Sequence, residues 1–471
     1  MKIKKILLVI TIISLFVVSI SLVSSSRNLT SEQALEDAEY LKEMLEKVHP
    51  NIYFSTDREI ARKKFSIIEE KLKSRKKWPV LDLYRTLAPY VAMFEDGHTF
   101  LSINKQFMSF AQNGGRIFPL LVSVKEGRVQ LVANLTSDEE PVGGSRILSI
   151  NGFSSDYIYS RMRKAIGAGR NAFAEAKISN NFPILLWGML DIREPYDVIC
   201  EDEKGNQGSL KIPGIPLEKY KKRKDNILGR MELNWDLSFL SNKIALLTIN
   251  TFSAGLENEF KKFIERSFRK VKSEQIEYLV IDLRNNSGGS TELSDYLYKY
   301  VSKKPFRTFA EVRVKYSDPV QEELNIYNPI TWVRVNLFGK RIIVHYNDYE
   351  SPPETDLRFK GNLYVLIGPE TFSTAVDFAA IIKDLEAGTI IGEETGGLAS
   401  TYGDVYRGEL PYSNLEFGIS YKYFLRTGGF DDGKGALPDI YVQSDLVEII
   451  KGNDNVLDAT IDRIRSTQNG K

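Results

Sequence analysis

The sequence predicts a mixed α/β, multi-domain protein with a helical N-terminal segment, a β-rich middle segment and an α/β core built on a largely parallel sheet. Three observations predict this class. The chain has 471 residues, of which 42% are hydrophobic and 11% aromatic, which is enough for a complete core and more than one domain. Hydrophobic periodicity changes along the chain from helical spacing to short strands. The remainder then alternates apolar strands with amphipathic helices, a pattern typical of a parallel sheet covered by helices.

The first 26 residues predict export from the cytoplasm. Lys2, Lys4 and Lys5 precede the apolar run Ile6–Val23, whose 18 residues include no polar side chain other than Ser and Thr. A basic start followed by an apolar run is typical of a signal peptide, and a run of this length can also just span a bilayer. Residues 1–26 are therefore expected to be either a cleaved signal peptide or a membrane anchor, and the body of the chain is expected to be extracytoplasmic.

Residues 27–112 have the spacing of a helical segment. The stretch "SEQALEDAEYLKEMLEKVHP" has apolar residues at helical intervals, with Ser31 as the expected N-cap and Pro50 just past its end. A second helix is predicted in "REIARKKFSIIEEKLKS" and a third in "VLDLYRTLAPYVAMFE". The third helix leads directly into "DGHT", which contains His98.

Residues 113–215 are predicted to form short strands joined by glycine-rich turns, including a hairpin around Gly205. Residues 216–471 alternate strand and helix. Strand "LYVLIG" is followed by helix "STAVDFAAIIKD", and strand "YLVIDL" is followed by the loop "RNNSGG". In a parallel sheet such loops meet at the carboxyl ends of the strands, where ligands and catalytic groups collect.

Composition argues against several classes of function. The 63 Lys and Arg residues nearly balance the 62 Asp and Glu residues, so the chain has no positive field to attract nucleic acid. Three His residues, one Cys and the absence of HExxH and CxxC motifs argue against a zinc enzyme, and no metal or cofactor is expected. Cys200 has no partner for an internal disulfide and is read as a buried apolar residue.

Two loops and one histidine contain the residues that are candidates for catalysis. Ser373 lies at the start of a helix, where a hydroxyl is either an N-cap or a nucleophile activated by a base. Gly288 and Gly289 follow a strand, where they either turn the chain or let backbone amides approach an oxyanion. His98 leaves a helix beside a glycine and is the best candidate for a base among the three histidines.

The order of six short motifs carries a resemblance to a known family. The motifs are "DGHT", "GSRILSING", "IDLRNNSGG", "TFSTAVDFA", "GEETGG" and "ALPDIYV". Their order resembles that of the tail-specific, or C-terminal processing, serine peptidases, a family related to the core of the tricorn protease. The resemblance covers nearly all of the chain after residue 26. It implies a helical segment at 27–112 that contributes the base, a PDZ-like domain at 113–215 and a catalytic domain at 216–471.

The resemblance also implies the site. Ser373 would be the nucleophile and His98 the base, as in the tricorn-like Ser–His branch, because Leu398 stands where Ser–Lys members carry their Lys. The amide of Thr374 and one from Gly288 or Gly289 would form the oxyanion hole.

The acid that would orient the histidine is left open. Gly97 stands where the tricorn relative has a Ser that relays to a carboxylate, so this chain has no equivalent relay. The candidates for the acid are four carboxylates on loops of the expected region, namely Glu393, Glu394, Asp431 and Asp432.

The predicted function is an extracytoplasmic serine endopeptidase that hydrolyses protein or peptide substrates through an acyl-enzyme. The alternatives are a non-catalytic binding protein of the same fold that holds a peptide or apolar ligand, and a scaffold that docks peptides through the PDZ-like segment. In such a segment the turn "PVGGSRILSI" would capture a terminal carboxylate, unless its glycines only close a hairpin. A membrane is a further expected partner if residues 1–26 are retained, and the sequence makes no prediction of oligomeric state.

Overall fold

The protein is described by a computed structural model over residues 28–136, 143–323 and 342–469. The predicted signal peptide or anchor at 1–26 lies outside these residues. Within them, no helix combines the length and the apolar character needed to cross a membrane.

Helices occur in all three predicted segments. The α-helices within the described ranges are α1 (Ser31–Val48), α2 (Arg58–Lys73), α3 (Val80–Ala92), α4 (Asn104–Gln112), α5 (Ser155–Arg163), α6 (Asn171–Asn180), α7 (Phe182–Leu190), α8 (Leu217–Leu228), α9 (Glu257–Ser273), α10 (Thr291–Val301), α11 (Asp318–Glu323), α12 (Thr374–Asp384), α13 (Leu446–Ile450) and α14 (Asn455–Asn469).

Strands are short before residue 230 and include longer members after it. Those within the described ranges are β1 (Asn28–Thr30), β2 (Lys77–Pro79), β3 (Phe100–Ser102), β4 (Leu120–Lys125), β5 (Arg128–Asn134), β6 (Arg146–Ile150), β7 (Phe153–Ser154), β8 (Tyr196–Glu201), β9 (Gln207–Ile212), β10 (Trp235–Phe239), β11 (Ile244–Ile249), β12 (Tyr278–Asp282), β13 (Phe309–Lys315), β14 (Ile342–Tyr346), β15 (Asn362–Ile367), β16 (Thr389–Gly392), β17 (Thr401–Glu409), β18 (Glu416–Arg426) and β19 (Ile440–Tyr441).

The N-cap of α1 lies one residue earlier than predicted. The hydroxyl of Thr30 accepts the amide hydrogen of Gln33, and the side chain of Gln33 accepts the amide hydrogen of Thr30. This reciprocal pair is a capping box, which satisfies two amides at the start of the helix. Ser31 has a different role, because its hydroxyl donates to the carbonyl of Leu72 and ties α1 to the end of α2.

The middle segment is a sheet in the order β4-β5-β6-β8-β9, with β7 paired to β6. α6 packs along its β4 edge. Ser179 of α6 accepts the amide hydrogen of Val124. Glu175 of α6 accepts the amide hydrogens of Glu126 and Gly127. The Ser179 bond occupies a backbone group of β4 that an added peptide strand would use, whereas the Glu175 bonds hold the turn between β4 and β5.

The glycine turn that was expected to capture a carboxylate forms part of a hairpin. Its first two residues, Pro141 and Val142, lie outside the described residues. Gly144, with φ at +106°, donates its amide hydrogen to the carbonyl of Leu131 on β5. This amide is therefore not free to bind a substrate carboxylate.

The C-terminal segment contains the largely parallel sheet that the sequence predicts. Its strands lie in the order β10-β11-β12-β15-β16-β19, and only β10 runs antiparallel to its neighbour. β12 and β15 are adjacent, with Asp282 opposite Leu366. The loops that follow these two strands carry Gly288 and Ser373, so both loops leave the same edge of the sheet next to each other.

A second sheet in this segment receives a strand from the N-terminal segment. Its main strands lie in the order β14-β13-β18-β17, and β3 pairs with β18. β3 begins two residues after His98, and it places Phe100 opposite Gly418 and Ser102 opposite Glu416. The pairing holds the loop that carries His98 against the C-terminal segment.

The N-terminal helices and the middle sheet share one hydrophobic core. A single cluster of buried side chains includes Leu41 of α1, Leu87 of α3, Leu120 of β4 and Ile147 of β6, and it extends to Phe417 of β18. A separate cluster lies between the parallel sheet and its covering helices. Moving the middle segment away from the N-terminal helices would therefore expose apolar surface to water.

We expect Asp37 to be a major link between the helical segment and the second sheet. Its buried carboxylate accepts the amide hydrogens of Tyr412 and Ser413, both at 2.8 Å. Asp37→Ala leaves these amides without that acceptor and should lower the free energy of unfolding by roughly 2–5 kcal/mol, measured by urea denaturation. Glu36→Ala, which removes an exposed bond to the Tyr412 hydroxyl, should cost less than about 1 kcal/mol. Equal losses in the two variants would contradict the prediction.

Candidate active site

Ser373 lies at a sharp turn between β15 and α12. Its backbone has φ 54° and ψ −131°, a region that side-chain-bearing residues rarely adopt and that costs on the order of 1–3 kcal/mol. Its hydroxyl makes no capping bond to the helix, so the N-cap alternative does not describe this serine. The Oγ atom instead lies 3.1 Å from Nε2 of His98.

His98 comes from the loop between α3 and β3. Its side chain is 12% exposed, and its ring centroid lies 4.4 Å from that of Phe372, the residue before Ser373. The second ring nitrogen, Nδ1, is buried without a hydrogen bond of normal geometry, and it lies 4.0 Å from Oδ1 of Asp96. The structure thus brings together the two residues that the sequence singled out.

Asp96 is a buried carboxylate that the sequence reasoning did not consider. It accepts the His98 amide hydrogen at 3.0 Å and the hydroxyl hydrogens of Thr99 at 2.5 Å and Ser420 at 2.6 Å. Burial alone would raise the pKa of Asp96, but hydrogen bonding and charge interactions, chiefly with His49, hold that pKa well below its usual range. Asp96 is therefore ionised beside the imidazole of His98.

His49 is fully buried on the far side of the same carboxylate. Its Nδ1 accepts the amide hydrogen of Asn51, which places the proton of a neutral ring on Nε2. That Nε2 lies 3.3 Å from Oδ2 of Asp96. His49 thus does more than end α1, because its imidazole lies against the buried carboxylate and helps to hold the pKa of Asp96 low.

The four loop carboxylates expected to include the orienting acid bind other groups. Within the described residues, none of them forms a hydrogen bond or ion pair with His98. Their partners are Ser444 for Glu393, Arg170 for Glu394, Tyr423 for Asp431 and Lys434 for Asp432. The expectation is corrected, since Asp96 is the carboxylate that lies nearest to the imidazole among these five.

Gly97 lies between two aromatic rings that leave little space for a side chain. A Cβ atom at this position would lie 3.0 Å from ring carbons of both Phe173 and Phe372. Those two rings stack with centroids 4.3 Å apart. The ring stack therefore leaves little room for a serine side chain before His98.

The amides near Ser373 offer two donors for an oxyanion, and Gly288 is not one of them. The Gly288 amide donates to Oδ1 of Asn286 at 2.8 Å, so this part of the expectation is corrected. Gly288 is needed for space, because a Cβ there would lie 2.7 Å from Cβ of Ser373. The amides of Gly289 and Thr374 donate to no group in the part of the chain that the structure describes, and they remain candidates for an oxyanion hole.

The charge state of His98 follows from opposing effects. Burial is the largest, and it lowers the pKa of His98; the negative charge of Asp96 raises it and the positive charge of Lys177 lowers it. Asp404 and the carbonyl of Tyr402 also raise it, and the net effect is a pKa below the ordinary value of 6.5. The imidazole is therefore neutral at pH 7 and able to accept a proton.

A cleft of about 1040 Å³ lies between the middle segment and the strand ends of the parallel sheet. One wall is β4 together with α6. The opposite wall includes Asn285 and Ser287, from the loop of Gly288, and Pro369 and Glu370, from the loop of Ser373. This volume is enough for several residues of an extended peptide, and the cleft is lined by residues of the Gly288 and Ser373 loops, although not by Ser373 or His98 themselves.

We expect His98 to titrate below pH 6.5. Proton NMR of the imidazole signals over a pH series measures this, and a His98→Asn variant identifies the signal among the three histidines. Asp96→Asn should lower the pKa of His98 further, because the negative charge of Asp96 raises it. A pKa above 6.5 in the unmodified protein, or a higher pKa in Asp96→Asn, would contradict this assignment of charges.

Comparisons with known proteins give the family and the fold that this chain resembles. Residues 243–442 match the family model Peptidase family S41. The tail-specific protease of Haemophilus influenzae is 27% identical over 204 residues, which make up 42% of this chain and 24% of that protein. The match thus spans about a quarter of the relative's length.

Solved structures establish the fold. The crystal structure of mature CPAF superposes with a TM-score of 0.62 at 16% identity, covering 89% of this chain and 94% of that one. A structure of mature CPAF complexed with lactacystin gives a TM-score of 0.63 at 15% identity, covering 89% and 95%. The predicted α/β class and the resemblance to tail-specific peptidases are confirmed, while the tricorn-like branch stays a prediction. Residues 243–442 of this chain form a domain of peptidase family S41.

Proposed function

We propose that the protein is an extracytoplasmic serine endopeptidase in which Ser373 is the nucleophile and His98 the base. The observation that carries the proposal is the 3.1 Å contact between Ser373 Oγ and His98 Nε2 at a strained turn. A nucleophile and its base within hydrogen-bond reach are the diagnostic arrangement for acyl transfer. The family of residues 243–442 supports the same reaction class.

The reaction would proceed through an acyl-enzyme. As Ser373 Oγ bonds to the carbonyl carbon of the scissile peptide, its proton passes to Nε2 of His98. The carbonyl oxygen becomes an oxyanion, which the amides of Gly289 and Thr374 would stabilise at the start of α12. The tetrahedral intermediate then collapses, and the leaving amine takes the proton from His98. A water molecule then attacks the acyl-enzyme in the same way, with His98 taking its proton and returning it to Ser373 Oγ. This step releases the product that carries the new carboxylic acid.

Asp96 is proposed as the acid that orients the base. Its 4.0 Å distance from Nδ1 is longer than a hydrogen bond, so the interaction in this state is electrostatic. When His98 becomes an imidazolium, the ionised carboxylate would stabilise that charge. Contacts of this kind often shorten only when the substrate is bound.

The substrate is proposed to be a protein or peptide that lies in the 1040 Å³ cleft. The segment boundaries predicted from the sequence, 27–112, 113–215 and 216–471, stay proposals, as does the PDZ-like character of the middle one. The extracytoplasmic setting rests on the basic and apolar composition of residues 1–26. A membrane tether through those residues is part of the same proposal.

A non-catalytic binding protein is the rival interpretation. The backbone of Ser373 argues against it, because a strained turn that aims a hydroxyl at a partly buried histidine has no evident use in a binding pocket. A scaffold that docks peptides by strand addition is disfavoured by Ser179 of α6, whose hydroxyl accepts the Val124 amide hydrogen at the edge of β4.

A fluorophosphonate probe tests the proposed nucleophile and base. The unmodified protein should be labelled, and Ser373→Ala should not be. His98→Ala should slow labelling by about 10²-fold or more, because general-base catalysis typically contributes a factor of this order. Mass spectrometry of the labelled peptide locates the modified residue.

His345→Ala is the matched control for this experiment. His345 is exposed on β14 and has no part in the proposed site, so its loss should leave the labelling rate unchanged. The proposal fails if the unmodified protein is not labelled, or if Ser373→Ala is labelled equally well.

The middle segment is predicted not to bind the terminal carboxylate of a substrate. The Gly144 amide is bonded within a hairpin, and α6 covers the edge of β4. A peptide with a free C-terminus and the same peptide with an amidated C-terminus should therefore have kcat/KM values within about threefold of each other. Loss of a charge-assisted hydrogen bond costs about tenfold or more. A preference of that size for the free acid would therefore show that the protein recognises the terminal carboxylate.

A further inference from the structure

Lys177 lies on α6 of the middle segment, yet its ammonium lies beside the two catalytic candidates. The Nζ atom donates to the carbonyl of Gly97 at 3.4 Å. It also lies over the faces of Phe173 and Phe372, at 4.9 Å and 5.2 Å from the ring centroids. Gly97 precedes His98 in the chain and Phe372 precedes Ser373, so one cation contacts both loops of the site.

The environment of this ammonium is unusual for a lysine. In the part of the chain that the structure describes, Lys177 forms no ion pair with a carboxylate. Burial lowers the pKa of Lys177, and only the more distant charge of Asp96 opposes that effect. Holding a cation among two aromatic rings and a carbonyl costs free energy that an apolar side chain would not. Simple packing therefore does not explain a lysine at this position.

The charges around His98 show what the lysine does there. Asp96 and Asp404 raise the pKa of His98, as does the carbonyl of Tyr402, and Lys177 is the cation that opposes them. Without it, the carboxylates would raise the pKa of His98 with only burial to oppose them, so a larger fraction of the ring would be imidazolium. An imidazolium in the resting protein cannot take the proton of Ser373.

We propose that Lys177 is a positioning residue for the Ser373–His98 pair, whose ammonium clamps the two loops and keeps the resting imidazole free of a proton. This inference rests on the proposed peptidase function and deepens it. In the reaction, the same charge would disfavour the imidazolium and so hasten return of its proton to the leaving amine. The middle segment thereby supplies a charge to the active site as well as a wall to the cleft.

The test compares three variants over a pH series. Lys177→Met keeps an unbranched apolar stem and removes the charge, whereas Lys177→Arg keeps the charge. Lys211→Met removes the same charge from an exposed position of the same segment. The acid limb of kcat/KM should move to higher pH by about half a unit to one unit in Lys177→Met. It should stay in place in Lys177→Arg and Lys211→Met.

NMR titration of His98 in the same variants separates this inference from the proposed function. An upward shift of the pKa of His98 in Lys177→Met alone supports the inference, whatever the activity. If the unmodified protein does not react with the fluorophosphonate, the proposed function is overturned. In that case the NMR shift still shows whether Lys177 affects the pKa of His98. The inference is overturned if neither the pKa of His98 nor the acid limb of kcat/KM changes in Lys177→Met. This holds even if turnover falls, because a fall in turnover without those shifts would mean that Lys177 acts only through packing.

Discussion

The pairing of β3 with β18 is the contact on which the candidate active site depends. Ser373 and His98 are separated by 275 residues in the chain, and two different sheets hold them. The parallel sheet fixes the turn of Ser373, whereas His98 is fixed by a strand of three residues added to the second sheet. So short a ladder is weak by itself, and burial of Leu101 against Phe417 reinforces it. A base must lie within about 3 Å of the proton it removes, so any slip of this strand would separate the pair.

The second constraint is the burial of a carboxylate. Asp96 loses its water on folding, and this loss must be offset by donors placed around it. The donors come from both sides of the β3–β18 junction, since Thr99 adjoins β3 and Ser420 belongs to β18. The same carboxylate therefore fixes the backbone of the His98 loop and sets the electrostatics of its ring. The two roles favour one arrangement of the loop, because a displaced loop would leave a buried charge with fewer donors.

The sequence predicted those residues of the site that belong to short, recognisable motifs. Ser373 and His98 were found because each belongs to a short motif and the motifs occur in a known order. Asp96 was missed although it is two residues from His98, because its donor Ser420 is 324 residues away and only the fold brings them together. Alternating strands and helices predicted the parallel sheet, but three residues of β3 contain too little periodicity to predict that it joins another sheet. The role of Gly288 was misassigned because the competing acceptor, the side chain of Asn286, is visible only in three dimensions.

The order of synthesis gives the β3–β18 junction a further consequence. A ribosome makes the histidine loop early, the serine turn 275 residues later, and β18 later still. A nascent chain therefore contains a serine and an imidazole that nothing yet holds together. If the protein cuts peptides as proposed, it cannot do so until almost its entire length has been made and folded. Completion of the fold would then guard the cell against its own hydrolase.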